Sequence, residues 1–221
     1  MVTIAAVPVK DLVNAKERLI PLLSPRERRE LARAMLEDVL SVLRLAPLDR
    51  IMVVTRDPQV MELARSFNAS ILEEDANLGH TEAVALAQHH AALACADSFL
   101  TIPGDVPLVT AEEIAAICRS APPAPGALFV PSQSGLGTNG ALLTPPGIMS
   151  LKFGEPSFQN HLAAARARGI EPVVLSLAGL ALDIDGHNDL CALIEEGGER
   201  SRAGRLLQDL GLSHRLAERL C

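Results

Sequence analysis

The stretch around Asp105 has the residue types and order best suited to phosphate chemistry. An apolar run, residues 99–102, predicts a buried strand, and Pro103-Gly104 ends it. Asp105 comes next, in a turn held by Pro107. Ligands of open α/β sheets collect beyond the carboxyl ends of the strands, where a carboxylate can hold Mg²⁺ against phosphate oxygens. The alternative is that Asp105 only caps its turn.

A basic loop follows the first predicted strand. Lys10, Lys16 and Arg18 stand where a parallel sheet would bind its ligand. Phosphates need clustered positive charge of this kind, and Arg adds bidentate hydrogen bonds. The alternative is ordinary charge on a solvated loop. Because the chain has a net charge of -7, a local basic cluster at this position favours phosphate binding.

An acidic pair, Asp183 and Asp185, ends another predicted strand, residues 180–184. Alternate residues of a strand face the same way, so both carboxylates can point together. With Asp105 they would form an oxygen-ligand set suited to magnesium. The alternative, which we expect for one of the two, is an N-cap of the helix predicted over residues 188–196.

Two segments rich in glycine and hydroxyl groups could bind an anion. Residues 134–140 include Thr138, and residues 153–158 include Gly154 and Ser157, with Ser157 starting a predicted helix. Glycine allows close approach of an anion, hydroxyls add donors, and a helix N-terminus attracts negative charge. Such segments are also common connectors. His161, one turn into the helix, could face the site, although a lone helical His is more often structural.

The elements that must position these residues alternate between strands and helices. Ser24 and Thr110 each begin a capping box, which predicts helix starts beside them. The alternation favours an α/β, Rossmann-like fold with a mostly parallel central sheet and helices on both faces. Strands are predicted at 3–9, 51–55, 70–73, 98–102, 127–131, 141–144, 172–176 and 180–184, and helices at 24–45, 57–67, 81–96, 157–168, 188–196 and 206–220.

The second half of the chain departs from the regular alternation of strands and helices. Its strands at 127–131 and 141–144 predict a small hairpin-like β insertion. We predict a main domain over residues 1–196 and a helical tail over residues 197–221. The leucine spacing of the tail suggests packing on the domain or on a second subunit, so a homodimer is possible.

Composition narrows the function classes. The chain has 221 residues, 2% aromatics and neither Trp nor Tyr, so base-stacking platforms are almost excluded, and its acidity argues against nucleic acid. No apolar run approaches the roughly 18 residues of a membrane span, and no basic leader precedes the first strand. The four cysteines match no metal or disulfide spacing. We expect a cytoplasmic protein that binds small phosphorylated molecules.

Several segments, taken together and in order, resemble one family. They are Val7-Pro8-Val9-Lys10, residues 14–19, 23–28, 53–55, 103–108, 137–139 and 153–158 with His161-Leu162, and residues 180–185. Their order is similar to that of the phospholactate guanylyltransferases, which make the phosphorylated three-carbon nucleotide precursor of the deazaflavin redox cofactor. The resemblance extends from Ile4 to about Leu193. It implies the Rossmann-like nucleotidyltransferase fold shared with molybdopterin guanylyltransferases.

The resemblance implies a magnesium-dependent transfer of GMP from GTP to phosphoenolpyruvate, 2-phospho-L-lactate or 3-phosphoglycerate, with release of pyrophosphate. Thr81 stands where the family usually has the Asn of a Gly-Leu-Asn segment that helps to hold the base. The implied roles are catalysis for Lys16, Arg18 and Asp105; nucleotide binding for Lys10, Lys16, Arg18, Gly79 and Thr81; acceptor binding for Thr138, Gly154 and Ser157; and Mg²⁺ binding for Asp105, Asp183 and Asp185.

Two other functions fit the same residues. One is a related transfer with another donor or acceptor, such as cytidylyl or molybdopterin guanylyl transfer. The other is a non-catalytic module that binds GTP. The presence of both a basic loop and an acidic pair disfavours the second, because binding alone seldom needs two metal-holding carboxylates.

Overall fold

The computed structural model describes residues 1–13, 15–76, 78–197 and 199–212. Its strands are β1 Thr3–Pro8, β2 Arg50–Val54, β3 Ser70–Leu72, β4 Ser98–Thr101, β5 Gly126–Pro131, β6 Thr138–Thr144 and β7 Val173–Val174. They form one sheet in the order β3-β2-β1-β4-β6-β5-β7. β6 runs antiparallel to both of its neighbours, and the other pairs are parallel. The predicted mostly parallel α/β sheet is therefore confirmed.

Helices cover both faces of the sheet. They are α1 Pro25–Leu43, α2 Pro58–Ser66, α3 His80–Leu93, α4 Ala111–Arg119, α5 Ser157–Arg166, α6 Ala178–Ala181, α7 His187–Gly197 and α8 Arg202–Asp209. Short 3-10 turns lie at Glu17–Leu19 and Pro146–Ile148. Of the helices in the described ranges, none is both long and apolar enough to cross a membrane.

β1 shows why the strands read as continuous apolar runs. Ala5 and Val7 pack into the core under α1, whereas Ile4 and Ala6 pack into the core under α3 and α5. Because successive side chains of a strand point to opposite faces, a strand covered on both faces must be apolar at every position. The two apolar cores hold the carboxyl ends of β1 and β4 side by side.

The helix starts follow the predicted capping chemistry. The hydroxyls of Ser24 and Thr110 accept hydrogen bonds from the backbone N–H groups of Glu27 and Glu113. In return, each Glu carboxylate accepts a hydrogen bond from the backbone N–H of its cap residue. Each box satisfies two backbone donors that the first turn of a helix leaves free. Both predicted capping boxes are confirmed.

The strand predicted at residues 180–184 is wrong. The segment contains the end of α6 and then an extended stretch that pairs with none of the seven strands in the described part of the chain. Leu180, Leu182 and Ile184 are buried, so the alternation of apolar residues reports their burial correctly. Alternation cannot reveal whether a neighbouring strand is present to form a ladder. Asp183 and Asp185 therefore do not lie at the end of a strand.

The predicted β insertion is also incorrect in its placement. β5 and β6 form an antiparallel pair as expected, but β6 lies between β4 and β5 inside the main sheet. β6 also begins at Thr138 rather than after a glycine-rich bend. Thr138 is thereby a residue of a buried strand.

The start of the tail packs on the domain. Asp38 of α1 accepts hydrogen bonds from the backbone N–H groups of Arg202 at 2.9 Å and Ala203 at 3.0 Å, which places a carboxylate at the N-terminus of α8. Ala203 and Leu207 are fully buried. The helix begins before the predicted residue 206 and ends at Asp209, and residues 213–220 of the prediction lie outside the described residues.

Candidate active site

A cleft lies at the carboxyl edge of the sheet, between the loop after β1 and the turn after β4. Its volume is about 750 Å³. The sheet places it there because both loops leave neighbouring parallel strands on the same side. The polar side chains that line it are those of Lys10, Asp11, Lys16, Glu17, Arg18, His80, Asp105 and Asp185.

Lys16 bridges the two acidic parts of the cleft. Its Nζ donates hydrogen bonds to Asp105 Oδ2 at 2.5 Å and to Asp185 Oδ1 at 2.9 Å. The Lys16 side chain is 9% exposed, whereas Arg18, 3.7 Å from Asp185, is 80% exposed. Of these two cations of the basic loop, Lys16 is therefore buried between carboxylates, whereas Arg18 is exposed.

The charges of this bridge reinforce each other. Burial alone would lower the pKa of Lys16, but the Asp105 and Asp185 carboxylates outweigh it and raise that pKa. Burial would raise the pKa of Asp185, but Lys16 and Arg18 outweigh it and hold the pKa below its usual value. Lys16 and Asp185 consequently remain ionised at neutral pH.

Lys16 also has an unusual backbone. Its φ of 57° and ψ of 46° lie in the left-handed region, just before the 3-10 turn. A side chain in this region is disfavoured by contact between its Cβ and the backbone. The ion pairs with Asp105 and Asp185 offset that cost and fix where the ammonium group lies.

The backbone around Asp105 is fixed from two sides. The carbonyl oxygen of Asp105 accepts a hydrogen bond from Ile184 N–H at 3.0 Å, which joins the turn after β4 to the segment before α7. A Cβ on Gly104 would lie 3.3 Å from a methyl group of Val9 and 3.4 Å from one of Leu36. The close packing at Gly104 holds the turn against β1 and α1.

Asn139 positions Asp183, and its importance was not predicted. Its Nδ2 lies within hydrogen-bonding distance of Asp183 Oδ1 at 2.9 Å and of the carbonyls of Leu180 and Ala181 at 3.1 and 3.0 Å. A polar residue inside the apolar run of β6 was the signal that could have revealed it. The Asn139 side chain thereby holds residues 180–183 in place, as backbone hydrogen bonds to a neighbouring strand would do.

The side chain that satisfies N–H groups ahead of α7 is Asp189. Its Oδ2 accepts hydrogen bonds from the backbone of Asp185 at 2.9 Å and of Gly186 at 2.7 Å. The carboxylates of Asp183 and Asp185 contact Asn139 and Lys16 instead. The expectation that one of the two caps this helix is therefore wrong.

The carboxylates of the cleft do not form a metal site as they stand. Among the described residues, no group of three or more His, Cys, Asp or Glu side chains could hold a metal ion as it stands. The Lys16 ammonium lies between Asp105 and Asp185. Asp105 Oδ1, however, is buried without a hydrogen-bond partner in the described chain, and burial raises the pKa of Asp183, assisted by Asp105 and Asp185. An added cation at this point fits both observations.

Gly79 and Thr81 lie at the start of α3, and Thr81 connects this helix to the loop before α5. Gly79 has a φ of 116°, which favours glycine, and it precedes the first residue of the helix. The Thr81 hydroxyl accepts a hydrogen bond from Phe153 N–H at 2.9 Å. The His80 ring packs edge-on against Phe153. The Thr81 hydroxyl, a predicted nucleotide contact, is thus engaged within the protein.

The structure brings Thr138 and Ser157 together in a buried network around His161. His161 Nδ1 lies 2.9 Å from Thr138 Oγ1, and the Ser157 hydroxyl donates to the same oxygen at 3.3 Å. His161 Nε2 accepts from Lys152 N–H at 3.0 Å, which assigns the ring proton to Nδ1. Burial lowers the pKa of His161 to about 4, so the ring is neutral at pH 7.

Gly154 is the exposed member of the predicted acceptor set. Its φ of 107° lies in the region that favours glycine, in the loop that leads to α5. Ser157 is the first residue of α5 rather than its cap, because Pro156 precedes the helix. Gly154 and Ser157 therefore share one segment, and Thr138 contacts it from β6. The hydroxyls of Thr138 and Ser157 contact partners inside the protein.

Comparison with known proteins finds relatives similar in sequence and a solved structure similar in fold. A phosphoenolpyruvate guanylyltransferase of Rubrobacter xylanophilus is 38% identical over 93% of this chain and 100% of its own length. A 2-phospho-L-lactate guanylyltransferase of Methanothermobacter thermautotrophicus is 36% identical over 95% of this chain and 92% of its own. The solved structure of a nucleotidyl transferase from the same genus superposes with a TM-score of 0.66 at 17% identity, covering 88% of this chain and 96% of that one, and shares the fold.

The family assignment extends further along the chain than the resemblance did. The model of the family described as "Guanylyl transferase CofC like" matches residues 3–219, so most of the tail belongs to the family pattern. The expected end of the pattern near Leu193 is therefore wrong. On these grounds the chain belongs to the CofC-like guanylyl transferase family.

Proposed function

We propose that this protein transfers GMP from GTP to the phosphate of a phosphorylated three-carbon acid and releases pyrophosphate. The observation that carries the proposal is the bridge of Lys16 to Asp105 and Asp185 in the cleft at the carboxyl edge of the sheet. Family membership gives the class of transfer. Phosphoenolpyruvate is the first acceptor to test, because the relative from Rubrobacter is named a phosphoenolpyruvate guanylyltransferase. 2-Phospho-L-lactate and 3-phosphoglycerate are the other two.

The reaction is an exchange of one phosphorus–oxygen bond for another. A phosphate oxygen of the acceptor attacks the α-phosphorus of GTP, and the bond from that phosphorus to the bridging oxygen of pyrophosphate breaks. The protein need supply mainly positioning and neutralisation of charge. Lys16 and Arg18 neutralise the triphosphate and the leaving pyrophosphate, and Lys10 adds charge at the mouth of the cleft.

Magnesium is the cation that this donor set suits. Asp105 would hold it together with Asp183, Asp185 or both, and phosphate oxygens would complete the shell. When bound, the metal neutralises the phosphate oxygens and makes the α-phosphorus a better electrophile. Asp105 Oδ1, which is buried and has no partner among the described residues, is the atom best placed to gain a ligand.

The acceptor would bind beside the segment that contains Gly154 and the N-terminus of α5. A helix N-terminus attracts anions, and an exposed left-handed glycine allows close approach of a carboxylate or phosphate. Thr138 and Ser157 contribute to this side by holding the segment through His161. The protein would act in the cytoplasm, in the synthesis of a deazaflavin cofactor precursor, on small molecules only. We also propose that it assembles as a homodimer, which a molar mass measured by light scattering would test.

Pyrophosphate release, measured with GTP and each of the three acids in turn, tests the proposal. We expect release that requires both GTP and one acid, is lost with EDTA and returns with Mg²⁺. Mass spectrometry should find the guanylylated acid as the second product. GTP binding without turnover on any acid would indicate the non-catalytic module, and preference for CTP would indicate a cytidylyl transferase.

A further inference from the structure

Glu74 is a buried carboxylate that the chemistry of the cleft does not use. It is 9% exposed, two residues beyond the end of β3. Among the residues that the structure describes, none donates a hydrogen bond to its side chain and none forms an ion pair with it. The Glu74 oxygens are not among the fully enclosed atoms that lack a partner, so they remain accessible at the edge of the sheet. Because an ionised carboxylate only accepts hydrogen bonds, it can bind a ligand that brings donors.

The sheet places Glu74 at the same edge as the cleft. Val9 N–H donates to Val54 O, and Thr55 N–H donates to Leu72 O, so the carboxyl ends of β1, β2 and β3 are level. Lys10, Arg56 and Glu74 each follow one of these ends by one or two residues. Glu74 and the two cations consequently form one cluster at the β3 side of the edge.

The charges around Glu74 agree with this arrangement. Burial raises the pKa of Glu74, while Arg56 and Lys10 oppose the rise. Lys10 also lines the cleft that contains Lys16 and Asp105. The two regions are therefore joined through Lys10, and β3 lies two strand spacings, about 10 Å, from β1. That separation matches the distance from the phosphates of a nucleotide to its base.

We propose that Glu74 recognises the guanine base by accepting hydrogen bonds from the N1–H and the 2-amino group. These two donors lie side by side on one edge of guanine and match the two oxygens of a carboxylate. Adenine presents an acceptor at N1 and has no 2-amino group, so the same carboxylate rejects it. The inference rests on the proposed use of GTP and places the base toward β3. Base recognition then does not require the Thr81 hydroxyl, which accepts a hydrogen bond from Phe153 N–H.

Equilibrium binding of GTP, ITP and ATP, measured by calorimetry without any acceptor, tests the inference. ITP keeps N1–H but lacks the 2-amino group. A hydrogen bond to a charged group changes affinity by about tenfold to a hundredfold, so the unaltered protein should bind GTP tighter than ITP by about that factor and should bind ATP more weakly still. In Glu74→Gln the advantage of GTP over ITP should shrink toward unity.

Glu73→Gln is the matched control. Glu73 is the neighbouring acid and is exposed, so this variant loses the same charge without losing the buried carboxylate. It should retain the full preference for GTP. Thermal melting of both variants shows whether they fold.

The inference is overturned if the unaltered protein binds GTP and ITP equally, or if it binds no GTP. It is also overturned if Glu74→Gln weakens all three nucleotides by one common factor, which is the result of a purely structural role. Failure of the proposed transfer has a different signature, because the protein would then bind GTP selectively and release no pyrophosphate.

Discussion

Two polar clusters at the same edge of the sheet differ in how completely they are satisfied. In the charged cluster, Lys16 contacts two carboxylates whose side chains are 28% and 47% exposed. In the neutral cluster, Thr138, Ser157 and His161 are between 2% and 7% exposed and bond to one another. The first cluster faces the cleft and retains a carboxylate oxygen without a partner among the described residues.

The difference teaches which cluster can exchange partners. Lys16 has three donors, and its carboxylate partners are acceptors only. Lys16 can therefore exchange a carboxylate for a phosphate, and the carboxylate can exchange Lys16 for a cation, without leaving a buried group unsatisfied. The neutral cluster has no such freedom, because removing His161 or Thr138 from it leaves buried polar atoms without partners. The charged cluster is therefore suited to chemistry, and the neutral one to holding residues 153–158 in place.

Asp105→Asn should give the largest effect. The variant keeps size but removes a full negative charge, so pyrophosphate release should fall by at least about a hundredfold. The melting temperature should fall too, because buried Lys16 keeps only Asp185 as a charged partner, but the variant should remain folded at the temperature of the assay. Asp209→Asn, an exposed change on α8, is the control and should leave the rate unchanged. A normal rate in Asp105→Asn would remove this residue from the metal and phosphate site.

Asp183→Asn and Asp185→Asn, compared by the same assay, should identify the second carboxylate that the reaction needs. We expect only one of the two to be indispensable. Equal and small losses in both would leave Asp105 without a partner ligand.

The neutral cluster should make stability depend on pH. The pKa of His161 is lowered to about 4 in the fold, against about 6.5 for an unfolded chain, so its contribution is complete above pH 6.5 and is lost as pH falls toward 4. The loss should approach about 3 kcal/mol. Urea unfolding at pH 7 and pH 4.5 measures it. His161→Gln should flatten this part of the profile, and identical profiles for both proteins would contradict the assignment.

Thr138→Val should destabilise the fold more than it changes catalysis. The variant keeps the shape but leaves His161 Nδ1–H without its acceptor, at a cost of about 1–3 kcal/mol. Thr138→Ser retains the hydroxyl and serves as the control. The KM values for GTP and for the acid should change little. A large rise in the KM for the acid alone, with stability unchanged, would show instead that this hydroxyl binds substrate directly.

Arg18→Ala should have the smallest effect on stability. Its side chain is 80% exposed and 3.7 Å from Asp185, so the free energy of unfolding should change by less than about 0.5 kcal/mol. The rate of pyrophosphate release should still fall, since a charge near the triphosphate is lost. Lys16→Met is the matched comparison and should lower both the rate and the melting temperature. Equal melting temperatures would mean that the Lys16 bridge contributes nothing to folding.

The sequence was sufficient for features that depend on local chemistry. The capping boxes at Ser24 and Thr110 and the apolar runs of β1, β2 and β4 follow from neighbours a few residues apart. The segment 180–184 was misread because its alternating burial is also produced by an extended chain tied down through Asn139. Its true partner lies about forty residues away in sequence.

The site was predicted as a set of residues, not as an arrangement. Lys16, Arg18, Asp105 and Asp185 do meet in one cleft. The sequence could not show that Lys16 would be buried between two carboxylates, because its left-handed backbone depends on contacts with residues 105 and 185. Nor could it show that the hydroxyls of Thr138 and Ser157 would turn inward to His161.

The hydrogen bond from Ile184 N–H to the carbonyl of Asp105 has a consequence for the order in which the protein is made. Lys16 and Asp105 leave the ribosome well before the segment that locks the turn and supplies Asp183 and Asp185. A nascent or truncated chain that stops before residue 183 has the cationic loop and Asp105 but lacks Asp183 and Asp185. Such a chain cannot assemble the cleft, so an incomplete translation product would not consume nucleotide.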